Sequence, residues 1–320
     1  MEVNKEDNTD NARDESWVSP LEKMIGLVDE KNGLVQIYEY HARGSCRGAS
    51  AWVAYHYPRT SSIVVSAEMD GARNIFTMEL GQGELYLRPS ISPAGIESVS
   101  LRDGQLVLTY AGLAGAGVGI SRCRAKAANI SRVNIMEPGG GSTLGRAEFT
   151  LPAMHKIHIG IDDTDSADTG ATWSLTNEIG WHASNIEGVE YLNHTLVQLY
   201  PLTPGKTKNC VSTVLTFGVI PDRTRRLLDF IMGELKSNTA SDDTGMAVYE
   251  GIVIPPPLRE FADRCRTRVV TLDEAVSAAA EAGAGLIEVT GSPGIIGALA
   301  AIGYAEHHNE AVKLPKGYEE

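Results

Sequence analysis

The sequence predicts a two-part protein of α+β or α/β class, with a β-rich N-terminal domain followed by an α/β domain. Three observations carry that expectation. From about residue 21 to 152, short runs of β-branched and aromatic residues recur between turn signals. From about 153 onward, strand-like runs alternate with amphipathic helical patterns, the succession of a layered α/β architecture. The chain has 320 residues, 42% of them hydrophobic and 22% charged, which is enough for two or three domains with a sizeable core.

Residues 1–20 (MEVNKEDNTDNARDESWVSP) are almost wholly polar and are expected to form a disordered lead-in, since they bury too little apolar surface to offset ordering entropy. Strands are then expected at Leu34–Tyr40, Ala51–Tyr57, Ser62–Glu68, Asn74–Leu80, Glu84–Arg88 and Leu106–Tyr110. Asp70-Gly71 and Asp103-Gly104 fall between apolar runs, where glycine supplies the positive φ of a hairpin turn. Two glycine-rich stretches are candidate anion sites. Arg43 to Gly48 (RGSCRG) joins the Arg43 and Arg47 guanidinium groups to a flexible backbone, reading either as an anion-holding loop or as a surface turn. Ala111 to Arg124 (AGLAGAGVGISRCR) could bring backbone N–H groups to a phosphate, or form a bulged strand or packed turn; its spacing misses the dinucleotide and P-loop fingerprints.

In the second half, Thr172–Ala183 reads as a helix, Tyr191–Tyr200 and Val211–Val219 as strands, and Pro221 opens a helix to about Lys236. Met246–Ile254 is an apolar run stopped by three prolines, and a short helix follows at Leu258–Arg264. Thr271 with Glu274 forms a capping box at the start of the next helix. Leu286–Thr290 is a strand, and Gly294–Ala305 (GIIGALAAIGYA) is a small-residue helix that must pack closely. Residues 311–320 form a tail.

The chemistry concentrates at Ile157–Trp173 (IHIGIDDTDSADTGATW), an apolar strand running into Asp162, Asp163 and Asp165. Three carboxylates within four positions repel one another unless a cation neutralises them. Hard oxygen ligands without a nearby Cys or His suit Mg²⁺, which binds through one or two carboxylates plus substrate phosphates; the alternative is a solvated acidic turn. Lys206, Lys208 and Asn209, in PLTPGKTKN, could reach such phosphates. Ser292-Pro293-Gly294 opens the last long helix, where free N–H donors could meet an anion.

Formal net charge is −13. There are 15 basic and 18 acidic residues up to Met154, and 13 and 23 after it, a balance that argues against an extended nucleic-acid interface while leaving room for a local basic groove. The four cysteines, Cys46, Cys123, Cys210 and Cys265, form no C-x-x-C pair and read as reduced thiols. No stretch approaches a membrane span or a signal peptide, so a cytoplasmic protein with no membrane partner is expected.

Taken in order, IGIDDTDS, the threonine-bearing turn before a helix, LYPLTPGKTKN and SPGIIGALAAIGY resemble the conserved blocks of the archaeal tRNA-isoleucine agmatinylcytidine synthetase family, over about His155 to Tyr304. With ARGSCRGA, LYLRPSISPAGIE and TYAGLAGAGVG added, the full chain resembles the methanogenesis marker protein 11 family. The resemblance implies a nucleotide- and Mg²⁺-using kinase-like domain (153–310) with an inserted ferredoxin-like subdomain at about 190–260. It places Asp162, Asp163 and Asp165 on the acidic metal and ATP motif and Thr172 on an autophosphorylated threonine. Lys206, Lys208 and Asn209 fall on a basic nucleotide-side segment, and Ser292 with Gly294 on a phosphate-facing helix start. The family's Cys-Thr-Thr is here Ala171-Thr172-Trp173, a departure beside the phosphorylated position. The family's OB-fold and zinc ribbon, which grip tRNA, are expected to be lacking.

The resulting expectation is a methanogenesis-associated, ATP- and Mg²⁺-dependent phosphoryl- or nucleotidyl-transfer enzyme, with Asp163, Thr172, Lys206 and Lys208 catalytic. Asn209, Ser292, Gly294, Arg43 and Arg47 would bind the nucleotide. Its acceptor, a small molecule or a protein, is unidentified. A non-catalytic nucleotide-responsive assembly factor docked on a methanogenesis enzyme, and an RNA-modifying enzyme with a tRNA partner, stand as alternatives; homo-oligomerisation is left open.

Overall fold

The computed structural model describes residues 2–4, 17–204, 206–207, 209–315 and 318. The chain divides into two compact units, 1–154 and 155–320.

The first unit is built on strands β2 (Lys23–Asp29), β3 (Leu34–Tyr40), β4 (Val64–Asp70), β5 (Arg73–Glu79), β6 (Gly81–Gln82), β7 (Ala94–Arg102), β8 (Gln105–Leu113), β9 (Arg132–Gly140) and the first part of β10 (Thr143–Asp162). Four of them pair antiparallel in the order β4-β5-β3-β2. β7 and β8 pair with each other, and β8 and β9 flank β10. The Asp103-Gly104 turn joins β7 to β8 with both residues at positive φ, 52° and 71°, as a two-residue hairpin requires. Within the lead-in expected to be disordered, Glu2–Asn4 forms strand β1 against Arg132–Asn134 of β9; residue 1 and residues 5–16 lie outside the described residues.

Three elements of this unit differ from expectation. Glu84–Arg88, expected as a strand, forms only isolated bridges, Leu85 with Ser61 and Arg88 with Ser92. The segment Ala51–Tyr57, expected as a strand, lies within helix α1 (Arg47–Thr60), whose buried residues Ser50, Val53, Tyr57 and Thr60 recur at helical spacing. The glycine-rich stretch forms the end of β8 and helix α2 (Ala114–Arg124). Two of its glycines serve packing: a Cβ on Gly117 would lie 2.4 Å from the Gly112 carbonyl oxygen and 2.9 Å from Gly145 Cα, and one on Gly112 would lie 3.0 Å from the Gly117 nitrogen. The basic end of α2 is used inside the unit. Arg124 makes a two-pronged contact with the fully buried Glu39 at 2.8 and 2.9 Å and donates to the Tyr57 hydroxyl, while the Tyr110 hydroxyl completes Glu39 at 2.8 Å. A buried ion pair is tolerable only when its remaining valences are filled in this way.

The second unit is a five-stranded antiparallel sheet in the order β11 (Val189–Gln198), β12 (Val211–Val219), the second part of β10, β13 (Gly245–Glu250) and β14 (Gly285–Glu288). Helices α3 (Thr172–Ala183) and α4 (Thr224–Asn238) share one core with Ile157, Ile159 and Ile161. Helices α5 (Pro256–Thr267), α6 (Leu272–Ala282) and α7 (Gly294–Ile302) share the other, with Val214 and Ala247 on the opposite sheet face; α8 (His308–Ala311) follows. The first six elements run strand–helix–strand–strand–helix–strand, the split βαβ arrangement. The segment expected as an inserted subdomain at about 190–260 supplies β11, β12 and β13, which share one sheet with the acidic strand itself. Thr271 and Glu274 form both bonds of the capping box on α6.

The reason for the small-residue helix is visible at β10. A Cβ on Gly160 would lie 1.8 Å from the Ala298 carbonyl oxygen, and one on Gly245 of β13 would lie 2.1 Å from the Ile295 nitrogen. Helix α7 therefore rests on the backbone of both strands. On the same strand, His158 is fully buried between Thr216 (3.0 Å) and the Gly251 carbonyl (3.2 Å), and burial lowers its pKa to about 4.

Two stability outcomes follow from this packing. Gly160→Ala is expected to cost about 3 kcal/mol or more in denaturant titration, because neither backbone can yield without parting the layers; a cost below about 1 kcal/mol would show the contact to be soft. His158 has a folded pKa below its unfolded value, so its contribution is complete above about pH 6.5 and is lost as pH falls toward 4. That loss is worth ~3 kcal/mol, and the stability difference between wild type and His158→Asn should change by about that amount between pH 7 and pH 4.

Candidate active site

At the end of β10 the strand passes from Ile161 into carboxylates. Asp163 adopts φ 56°, a left-handed conformation that Asp and Asn tolerate better than most residues and that collects at functional sites. A ladder of hydroxyls holds it there. Thr244 Oγ1 donates to the Asp163 carbonyl at 2.8 Å and lies 2.5 Å from Thr239 Oγ1. The Thr164 carbonyl accepts from the Ala240 N–H at 2.9 Å and from Thr239 Oγ1 at 3.2 Å. Thr172, the first residue of α3, is buried; its Oγ1 accepts from the Thr164 N–H at 3.3 Å and lies 3.1 Å from Thr164 Oγ1.

A cavity of about 640 Å³ opens on this junction, and Asp162, Asp163, Asp165, Thr172, Lys206 and Asn209 all line it. Six residues expected at the site are thus brought together by β10, the start of α3 and the β11–β12 loop. Lys206 is exposed and donates to the Pro201 carbonyl, while Thr207 Oγ1 donates to Asp165 Oδ1 at 3.4 Å. Lys208 lies outside the described residues.

Ser292 and Gly294 are placed differently from expectation. Neither is among the residues lining the cavity, to which the same segment contributes Pro293 and Gly297. The Gly294 N–H is not a free donor: it bonds the Asp243 carbonyl at 2.9 Å, and a Cβ there would lie 2.5 Å from the Gly245 nitrogen. The helix start is consumed by packing. Arg43 and Arg47 belong to the first unit, where both are exposed, and are not among the residues lining this cavity.

The electrostatics of the acidic junction are set by burial and crowding. Burial first, and then the Asp163 and Asp165 charges, hold the Asp162 carboxyl well above the usual carboxylate range. Asp163 is pushed up to about 6 by burial, then by Asp243 and Asp165. Asp162 is confined by α7, since a Cβ on Gly297 would lie 1.7 Å from its Oδ2. Among the described residues, no group of three or more His, Cys, Asp or Glu is placed to hold a metal ion by itself. Asp162 is pinned beneath the helix, Asp163 turns through a left-handed residue, and Asp165 faces Thr207, so the three do not converge into a cage. The remaining donor set, crowded carboxylates that favour a neutralising cation, fits an ion held by one or two carboxylates and completed by phosphate oxygens and water.

Comparison with known proteins places the chain. An uncharacterized protein of Methanocaldococcus jannaschii, MJ0921, is 46% identical over 292 residues, covering 91% of this chain and 96% of that protein. The chain belongs to the MJ0921 family. Within it, residues 158–291 match the model of the TiaS TCKD domain. The tRNA 2-agmatinylcytidine synthetase TiaS of Pyrococcus horikoshii is 35% identical over 153 residues, covering 46% of this chain and 35% of that enzyme. A crystal structure of TiaS in complex with tRNA and ATP superposes with a TM-score of 0.43 at 25% identity, covering 47% of this chain and 36% of that one. The C-terminal half of this MJ0921-family member thus has a TiaS TCKD domain and resembles TiaS, while the chain spans about a third of the length of its TiaS relatives.

Sequence reasoning missed Asp243, whose charge acts on Asp163, and the threonines that brace the turn. A signal was present: Asp162-Asp163-Thr164 is echoed by Asp242-Asp243-Thr244, and the two Asp-Asp-Thr turns meet in the fold. Removing the Asp243 charge should lower the Asp163 pKa from about 6 toward the ordinary carboxylate value, read by carboxyl-carbon NMR titration of Asp243→Asn. An unchanged Asp163 midpoint in a folded variant would contradict the placement.

Proposed function

We propose that this MJ0921-family protein is an ATP- and Mg²⁺-dependent enzyme that activates an acceptor oxygen by phosphoryl or nucleotidyl transfer. One observation carries the reading: a single cavity gathers the acidic strand end, the Thr172 hydroxyl and the Lys206–Asn209 loop, within the segment matched by the TiaS TCKD domain. TiaS is by name a tRNA 2-agmatinylcytidine synthetase, and relatives of that kind support nucleotide use here. We read the split βαβ sheet as the ferredoxin-like element and the cavity face as the kinase-like one.

The roles follow from the chemistry of the side chains. Asp162, Asp163 and Asp165 supply the oxygen atoms from which one or two would hold Mg²⁺, and a bound ion would offset charge on phosphate oxygens. Lys206 stands free to exchange its contact with the Pro201 carbonyl for a phosphate oxygen, and Lys208 follows it in the same loop. Asn209 orients the nucleotide by hydrogen bonding. The Thr172 hydroxyl, fixed against Thr164, serves either as phosphoacceptor or as phosphate ligand. The acceptor stays chemically open, with tRNA supported by the TiaS relatives and a methane-forming enzyme by the resemblance of the whole chain.

Isothermal calorimetry is expected to show ATP binding that depends on Mg²⁺ and is lost in Asp163→Asn, with Thr172→Ala retaining binding while losing product formation. Analysis of released ADP, AMP and phosphate distinguishes transfer from mere binding. Absence of ATP binding by the wild-type protein with Mg²⁺ would falsify the proposal.

A further inference from the structure

The first unit carries a surface whose chemistry differs from that of the rest of the chain. From Tyr40 to Ala67 there is no Asp or Glu, although the whole chain has a formal net charge of −13. That stretch holds Arg43, Arg47 and Arg59, all exposed, together with His41 and His56. It folds mainly as α1, whose buried residues Ser50, Val53, Tyr57 and Thr60 face inward. The opposite face presents Arg47, Trp52, Tyr55 and Arg59, spaced so that each lies one turn or so beyond the last.

The aromatic rings there are exposed and already arranged in stacks. Trp52 is 37% exposed and stacks on His56 with ring centroids 4.2 Å apart. Tyr55 is 58% exposed, and the Arg59 guanidinium lies 3.9 Å from its ring centroid. At the C-terminal end of the helix the Tyr86 N–H bonds the Thr60 carbonyl at 2.8 Å, and Tyr86 and Arg88 are exposed. Glu84, the acidic group of this loop, is engaged by the Tyr86 hydroxyl at 2.5 Å. Planar rings interleaved with guanidinium groups, over a helix about 20 Å long, form a stacking platform with phosphate-binding groups alongside.

We propose that this face of α1 binds a single-stranded nucleic acid, with Trp52 and Tyr55 stacking on bases and Arg43, Arg47 and Arg59 meeting phosphates. An anionic membrane surface is disfavoured because the exposed face lacks the Leu, Ile or Phe stripe that embeds an interfacial helix. An arginine-bearing helix with no Asp or Glu of its own also complements phosphate better than it complements a generic apolar protein partner. The inference is independent of nucleotide transfer in the second unit.

The test is fluorescence anisotropy of the full chain with fluorescein-labelled oligouridylate and oligothymidylate at low salt. Binding of either oligomer is expected, with log K falling against log salt at a slope of about −2, the value for three phosphate contacts on a single strand. Trp52→Ala and Tyr55→Ala should each weaken binding about tenfold, and Arg47→Gln or Arg59→Gln should reduce the slope by about 0.7. Circular dichroism checks that these surface variants remain folded. Asp163→Asn should bind the oligomers normally, which separates this result from the nucleotide site. Salt-insensitive or absent binding, binding indifferent to Trp52→Ala and Tyr55→Ala, or association with phosphatidylserine vesicles but with neither oligomer would overturn the proposal.

Discussion

The second unit depends on one contact: helix α7 lying directly on the backbone of β10 and β13. Gly160, Gly245, Gly294 and Gly297 each face an atom that a Cβ would strike, including the carbonyl oxygen of Ala298 and the carboxylate of Asp162. With side chains removed from the interface, the helix approaches closely enough to cap the acidic strand end. The cost is the glycine content of strands and helix, which lose more backbone entropy than other residues on folding. What the close approach provides is a lid over Asp162, and it also takes up the Gly294 N–H in a bond to Asp243.

Under that lid the carboxylates are forced into a proximity that water would not favour. Burial raises Asp162 and Asp163, and crowding adds to it, so the junction stores unfavourable charge that a cation would relieve. The threonine ladder keeps the junction from relaxing: Thr244 and Thr239 hold the carbonyls of Asp163 and Thr164, and Thr164 in turn anchors Thr172. Preorganised groups of this kind suit chemistry that proceeds by positioning and charge neutralisation. Two sequence-distant Asp-Asp-Thr turns are needed to build it, which explains why the first turn points to the site while the contribution of Asp243 and Thr244 emerges only in the fold.

The first unit handles charge in the opposite way. Its buried ion pair, Glu39 with Arg124, has its valences filled by Tyr57 and Tyr110 and serves the core. The arginines of the α1 region are exposed beside aromatic rings instead. The glycine-rich stretches also divide along these lines, since Gly112, Gly117 and Gly145 let α2 sit against β8 and β10. Close approach of backbones accounts for these three glycines.

Local sequence determined much of this protein: the hairpin at Asp103-Gly104, the capping box at Thr271 and Glu274, the helix at Thr172 and the acidic end of β10 are each set by residues within a few positions of one another. Those features depend on local torsions and local hydrogen bonds, which is why they are legible without tertiary structure. The tertiary structure decided the rest. Ala51–Tyr57 alternates well enough to read as a strand, and only the burial of Ser50, Val53, Tyr57 and Thr60 on one side makes it a helix. Asp243, the cavity membership of Lys206 and the sacrifice of the Gly294 N–H arise from contacts between segments far apart in the chain. A linear pattern records which residues carry charge and which are small, but the distance between two backbones, and hence which carboxylate is buried and which amide is spent, exists only after the layers have packed.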